Sequence, residues 1–147
     1  KKVKEEYGVK YIGVWHAFEG YWCGIHPDGE LYKNNKDLFF ETPTGWIVPG
    51  ETEEKAFKFW DLWHSYLKEQ GIDFVKVDNQ ASTSSNYDNI TSGSSAIFIQ
   101  HKALEKSVFK NFAKFEKMFE KFSSSFNICF CSVSFISSSK MCIYPSN

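Results

Sequence analysis

The stretch FVKVDNQ, residues 74–80, decides how this chain is read. It begins like a buried strand, with Phe74, Val75 and Val77, and then carries Lys76 and ends in Asp78, Asn79 and Gln80. Side chains two apart on a strand face the same side, so Lys76 and Asp78 share a face. In a closed barrel that face is the interior, where a lysine needs a partner such as Asp78 or a substrate hydroxyl. A neighbouring positive charge also keeps Asp78 ionised, as a nucleophile requires. A bare K-x-D spacing is common, and taken alone it reads as a structural ion pair.

The sequence before this stretch supplies its context. Residues 52–70 predict a helix: Thr52 suits the N-cap, and Glu53 and Glu54 suit the positive end of the helix dipole. Ala56, Phe59, Trp60, Trp63 and Leu67 recur at three and four residues and form one apolar stripe, so Trp60 and Trp63 are expected in the core. Gly71 supplies a left-handed residue after the helix, with Ile72 packing back on the last turn. Residues 11–15 (YIGVW) predict an earlier strand. The order strand, helix, strand is a βαβ unit, which implies a parallel pair with a crossover. Residues 1–7 read as a short charged helix stopped by Gly8. Residues 16–50 read as a long loop punctuated by Pro27, Gly29, Pro43, Pro49 and Gly50. Residues 81–95 read as a second loop, and Ile97, Leu104, Val108, Phe112, Phe115, Phe119 and Phe122 then follow a helical rhythm.

The chain has 147 residues and a formal net charge of -1, which suits one domain and gives no electrostatic case for nucleic acid or an anionic membrane as partner. No segment has the apolar length to span a bilayer, and the start lacks the layout of a signal peptide, so a cytoplasmic setting is expected. The Asn89-Ile90-Thr91 sequon is accordingly taken as chance. Of the four cysteines, Cys129, Cys131 and Cys142 lie in the last stretch and Cys23 stands apart, so no disulfide framework covers the body. The histidines lack ligand spacing, and Cys129-x-Cys131 is a poor zinc signature, so neither metal nor cofactor is expected. Residues 113–147 change character to serine, phenylalanine and cysteine, with residues 128–136 strand-like. This break reads as an atypical tail of non-homologous sequence.

In parallel α/β folds, ligands sit at the C-terminal ends of strands. The first strand end delivers Trp15, His16, Phe18, Glu19, Tyr21 and Trp22, and the second Lys76, Asp78, Asn79 and Gln80. Aromatic faces beside a carboxylate, a cation and amides suit a sugar.

Four stretches occur in order: YIGVWHAFEGYWCGIHP (11–27), GWIVPG (45–50), FWDLWHSYLKEQGIDFVKVDNQ (59–80) and ALEKSVFKNF (103–112). Together they resemble glycoside hydrolase family 36, on the branch of raffinose synthases, seed imbibition proteins and alkaline or archaeal α-galactosidases. The resemblance implies that residues 1–112 are part of a (β/α)8 TIM barrel, about strands three and four with their helices. It implies retaining chemistry on α-galactosides, with Asp78 as nucleophile and Lys76 contacting sugar hydroxyls. Trp15 would line the sugar subsite, with His16 and Trp22 as further substrate-binding residues. The R-x-S-D-D-type segment that carries the family's acid/base does not occur in this chain. A whole barrel takes about 250 residues. The chain alone is therefore expected to lack glycosidase activity. Hydrolysis, galactosyl transfer of the raffinose-synthase type and a non-catalytic sugar-binding remnant are the three readings that follow.

Overall fold

The computed structural model describes residues 1–80 and 82–123, with side-chain detail for 1–80 and 84–113. The expected strand-like segment 128–136 and the cysteines beyond it lie outside the described residues. Along the chain, α1 (Lys2–Tyr7) precedes β1 (Gly13–Ala17), followed by α2 (Glu30–Asn34), a 3-10 turn (Lys36–Leu38), β2 (Phe39–Glu41) and β3 (Ile47–Pro49). Then come α3 (Glu53–Glu69), β4 (Phe74–Asp78), a 3-10 helix (Ser82–Tyr87) and α4 (Gly93–Ser123).

β1 and β4 pair in parallel, with Trp15 opposite Lys76, His16 opposite Val77 and Ala17 opposite Asp78. The α/β class and the βαβ order therefore hold. α3 begins where Thr52 caps it, its Oγ1 accepting from the Lys55 N–H. It ends in a Schellman arrangement: the N–H of Gly71 reaches the Lys68 carbonyl and that of Ile72 the Leu67 carbonyl, both within 3.0 Å. Gly71 sits at φ 88°, a conformation that costs a side chain. The chain thus turns straight from the helix into β4.

One face of the parallel pair is buried. Val75 and Val77 pack there with Ala56, Phe59 and Trp60 of α3 and with Ala103, Leu104, Val108 and Phe112 of α4. Both long helices cover this side. The alternate residues of β4, Lys76 and Asp78, face the other way and are exposed.

Three expectations are corrected. The first strand lies two residues later than expected, because Ile12 is held by Asp73 and not by a ladder. The Ile12 N–H donates to the Asp73 carboxylate and the Asp73 N–H to the Ile12 carbonyl, each at 2.8 Å, and Lys4 pairs with the same carboxylate. Residues 16–50 are not one loop. β2 and β3 form an antiparallel hairpin, and the Ile25 N–H bonds the Ile47 carbonyl at 2.7 Å to tie the earlier segment to it. Third, residues 81–95 contain the 3-10 helix, and α4 starts at Gly93, where the Ser92 hydroxyl accepts from the Ser95 N–H. Tyr87, fully buried, donates its hydroxyl to the Pro49 carbonyl, and Gln100 donates to that of Gly50. These bonds lock the hairpin onto the start of α4. α4 passes residue 112 without interruption. No described helix is long and apolar enough to cross a membrane.

Candidate active site

The C-terminal ends of β1 and β4 lie side by side, and the Phe18 N–H extends their ladder to the Asp78 carbonyl at 2.8 Å. Asp78 stands there with both carboxylate oxygens engaged. Oδ2 accepts the indole N–H of Trp15 at 3.2 Å, and Oδ1 accepts the backbone N–H of Asn79 at 2.8 Å. Beyond that amide the chain turns left-handed at Asn79, φ 61°. The Asp78 carboxyl is held below its ordinary value, first by the Asn79 amide and next by the Trp15 indole, against a burial penalty; the charge of Lys76 contributes least. The expectation that Lys76 keeps Asp78 ionised is therefore corrected in its cause. The two residues share a face as expected, but among the described residues no ion pair joins them, so the structural-pair reading fails.

Aromatic rings flank the carboxylate. Trp22 lies 5.4 Å from Trp15, tilted by 41°, and Tyr21 meets Trp15 edge-on at 6.5 Å. Trp15 is 39% exposed and Trp22 48%, so their faces are open to a ligand. The turn that places Tyr21 and Trp22 closes through the Gly20 N–H on the Ala17 carbonyl and the Gly24 N–H on the Tyr21 carbonyl. Trp15, Trp22, Lys76 and Asp78 thus gather at one end of the parallel pair, with Tyr21 added. Tyr21 was visible in the sequence as a strand-end aromatic.

His16 is elsewhere. It is 3% exposed and points between β1 and α3, with its ring 4.2 Å from that of Trp63. The expectation that His16 joins Trp15 in binding substrate is corrected by the period of the strand, which sends these neighbours to opposite faces. Burial pushes the His16 imidazole down to about 4. His64 of α3, also fully buried and pushed down to about 3, meets it with Nε2 to Nε2 at 3.3 Å. Desolvation is the largest influence on each, so both rings are neutral at pH 7.

Glu19 is buried as well. Its Oε1 accepts from Asn86 Nδ2 at 2.6 Å, its Oε2 has no partner among the described residues, and burial pushes the carboxyl up to about 7. This bond links the segment after β1 to the 3-10 helix after β4, and so braces the two strand-end loops.

Comparison with known proteins returns one family. The family described as raffinose synthase or seed imbibition protein Sip1 matches residues 1–141. This chain belongs to that family. A probable galactinol–sucrose galactosyltransferase 6 of Arabidopsis thaliana is 34% identical over 125 residues, covering 76% of this chain and 17% of that protein. A probable galactinol–sucrose galactosyltransferase 1 of the same plant is 30% identical over 128 residues, covering 75% and 17%. Stachyose synthase of Pisum sativum is 27% identical over 143 residues, covering 76% and 16%. The chain thus spans about a sixth of the length of these raffinose synthase relatives. The glycoside hydrolase family 36 branch read from the motifs is the branch the comparisons return.

Proposed function

We propose that this chain supplies the nucleophile-bearing part of a retaining α-galactoside enzyme, with Asp78 attacking the anomeric carbon. The observation that carries the reading is the carboxylate of Asp78 at a parallel strand end, held ionised by an amide and an indole and open to a ligand. In the first step an Asp78 oxygen forms a bond to the anomeric carbon as the glycosidic bond breaks, and the leaving oxygen takes a proton from a separate carboxylic acid. In the second step an acceptor oxygen attacks the same carbon, loses its proton to that acid's conjugate base and releases Asp78. Trp15 and Trp22 cover the apolar face of the sugar, and Lys76, exposed on the Asp78 face, donates to its hydroxyls. No R-x-S-D-D segment occurs in this chain, so the second acid comes from another part of a barrel.

The (β/α)8 reading has the same support. α3 and α4 both cover one face of the β1–β4 pair, and the face with Lys76 and Asp78 is bare. In a barrel the helices lie outside, and that bare face is the interior.

Transfer is the better reading of the second step, because two Arabidopsis thaliana relatives carry the name of galactosyltransferases. The test is an exchange. Residues 1–112 replace the matching segment of the Arabidopsis thaliana relative, and galactinol is supplied with sucrose as acceptor. The chimaera is expected to transfer a galactosyl group, and Asp78→Asn to abolish transfer. Release of free galactose in place of the sucrose product favours hydrolysis. Transfer that survives Asp78→Asn refutes the nucleophile assignment. The 147-residue chain by itself is expected to turn over no aryl α-galactoside.

A further inference from the structure

Behind the site runs a buried chain of hydrogen bonds whose direction is fixed at one end. A carbonyl oxygen only accepts, so His16 Nδ1, 3.2 Å from the Ala17 carbonyl, carries the proton. Neutral His16 then has a lone pair on Nε2, and His64 Nε2–H must donate to it across 3.3 Å. His64 Nδ1 is left as an acceptor, and the Ser107 hydroxyl of α4 donates to it at 2.8 Å. Three elements are thereby stitched together through a single proton between two imidazoles. The Ala17 carbonyl also receives the Gly20 N–H, closing the turn that leads to Tyr21 and Trp22. Trp15, the donor to Asp78, immediately precedes His16 on the strand.

We propose that His64 is a positioning residue for the Trp15–Asp78 pair, acting through His16, and that this makes the placement of Trp15 acid-sensitive. A second proton on His16 Nε2 sets two N–H groups against each other unless every bond in the chain reverses as far as Ser107. The pair then becomes a buried cation. The groups around it do not balance that charge. Asp61, one turn earlier on α3, is the carboxylate that acts on His64, and it is already engaged by Lys110 and Asn111 of α4. His101 of α4 lies against Phe18, and burial lowers its own imidazole, so it offers no counter-charge. β4 presents Val75 and Val77 to this side and turns Lys76 and Asp78 away. Acid therefore loosens the middle of β1, and the indole bond to Asp78 goes with it. The inference rests on the proposed function only in calling Asp78 a nucleophile; the arrangement itself is tested without sugar.

The test uses the full 147-residue chain, with labelled tryptophan indoles and histidine rings followed by NMR from about pH 7.5 to about pH 3. The Trp15 indole signal is expected to move with the His16 ring, at a midpoint near 4, while α3 and α4 backbone signals stay in place. In His64→Gln, an amide replaces the facing imidazole, and it can rotate to accept as well as donate. The His16 midpoint is then expected to rise by about one unit, a tenfold gain in proton affinity, with Trp15 following it. Ser107→Ala, which leaves His64 Nδ1 without its donor, is read in the same way and is the milder change should His64→Gln not fold. An unchanged His16 midpoint in the folded variant overturns the proposal. So does a Trp15 signal that ignores His16, or a single transition in which α3 and α4 are lost together with it.

Discussion

Trp15 and Asp78 sit on neighbouring parallel strands, two register positions apart, and the indole N–H of one reaches the carboxylate of the other at 3.2 Å. The aromatic wall of the site is therefore also part of what keeps Asp78 ionised. Trp15→Phe keeps a ring and removes the donor. The Asp78 carboxyl is expected to titrate higher than in the parent chain, yet still below its ordinary value, because the Asn79 amide remains and is the larger influence. Carbon-detected NMR of the side-chain carboxyls reads this directly. No movement would show that the indole bond has no effect on the charge.

That larger influence depends on backbone geometry. Asn79 donates its N–H to Asp78 Oδ1 and continues the chain in the left-handed region, at φ 61°. Asparagine tolerates this region, and a β-branched residue does not. Asn79→Val is expected to cost about 1–2 kcal/mol of stability, or else to escape the strain by rotating the amide away. In the second case the Asp78 carboxyl titrates higher without loss of stability. Chemical denaturation together with the carboxyl titration separates the two, and a variant unchanged in both refutes the role given to this residue.

The βαβ core was legible because its signals are local. The stripe from Ala56 to Leu67, the cap at Thr52 and the stop at Gly71 each act within a few residues. The hairpin was not legible, since β2 and β3 have three residues each and are held by partners far along the chain, such as Ile25 with Ile47. The start of α4 was hidden because Gly93, Ser94 and Ser95 read as loop until the Ser92 cap is seen. In the site, the shared face of Lys76 and Asp78 followed from the strand period, and the same period separates Trp15 from His16. His64 lies on the apolar stripe of α3, one turn after Trp60, and that position was the available sign of a buried histidine. Nothing in the sequence pointed to Asn86 or Ser107, whose partners Glu19 and His64 are brought to them only by the fold.

Gly24 sits against backbone in the segment that carries the aromatic wall. It lies at φ 79°, and a Cβ there would fall 2.3 Å from the Ile47 carbonyl oxygen. Backbone cannot swing aside as a side chain can, so Gly24→Ala combines a left-handed alanine, about 1–2 kcal/mol, with a clash against the hairpin. The expected result is a lower melting temperature and a more exposed Trp22, read by quenching of tryptophan fluorescence with iodide. A variant that melts like the parent would mean that the contact between Gly24 and β3 is dispensable.

Stability should pass through a maximum near pH 6.5, because buried groups of opposite kinds titrate on either side. His16 and His64 are held neutral, at about 4 and about 3 against an ordinary 6.5. The unfolded chain binds more protons than the folded one below 6.5, so this contribution is complete above 6.5 and is lost as the pH falls through that window. Glu19 works the other way. Its carboxyl is raised from 4.5 to about 7, so its contribution is complete below 4.5 and is lost as the pH rises through 7. Each unit of difference is worth about 1.4 kcal/mol per group. His16 and His64, with His101 lowered in the same sense, outweigh Glu19 and the half-buried Glu105 between 4.5 and 6.5, so stability still rises with pH there. The lowered carboxyls of Asp61 and Asp78 steepen the acid side further. Thermal melts followed by circular dichroism across this range check the shape. Glu19→Gln preserves an acceptor for Asn86 and removes the ionisation, so it is expected to flatten the alkaline limb and leave the acid limb as it was. An alkaline decline that persists in Glu19→Gln would assign it to another group.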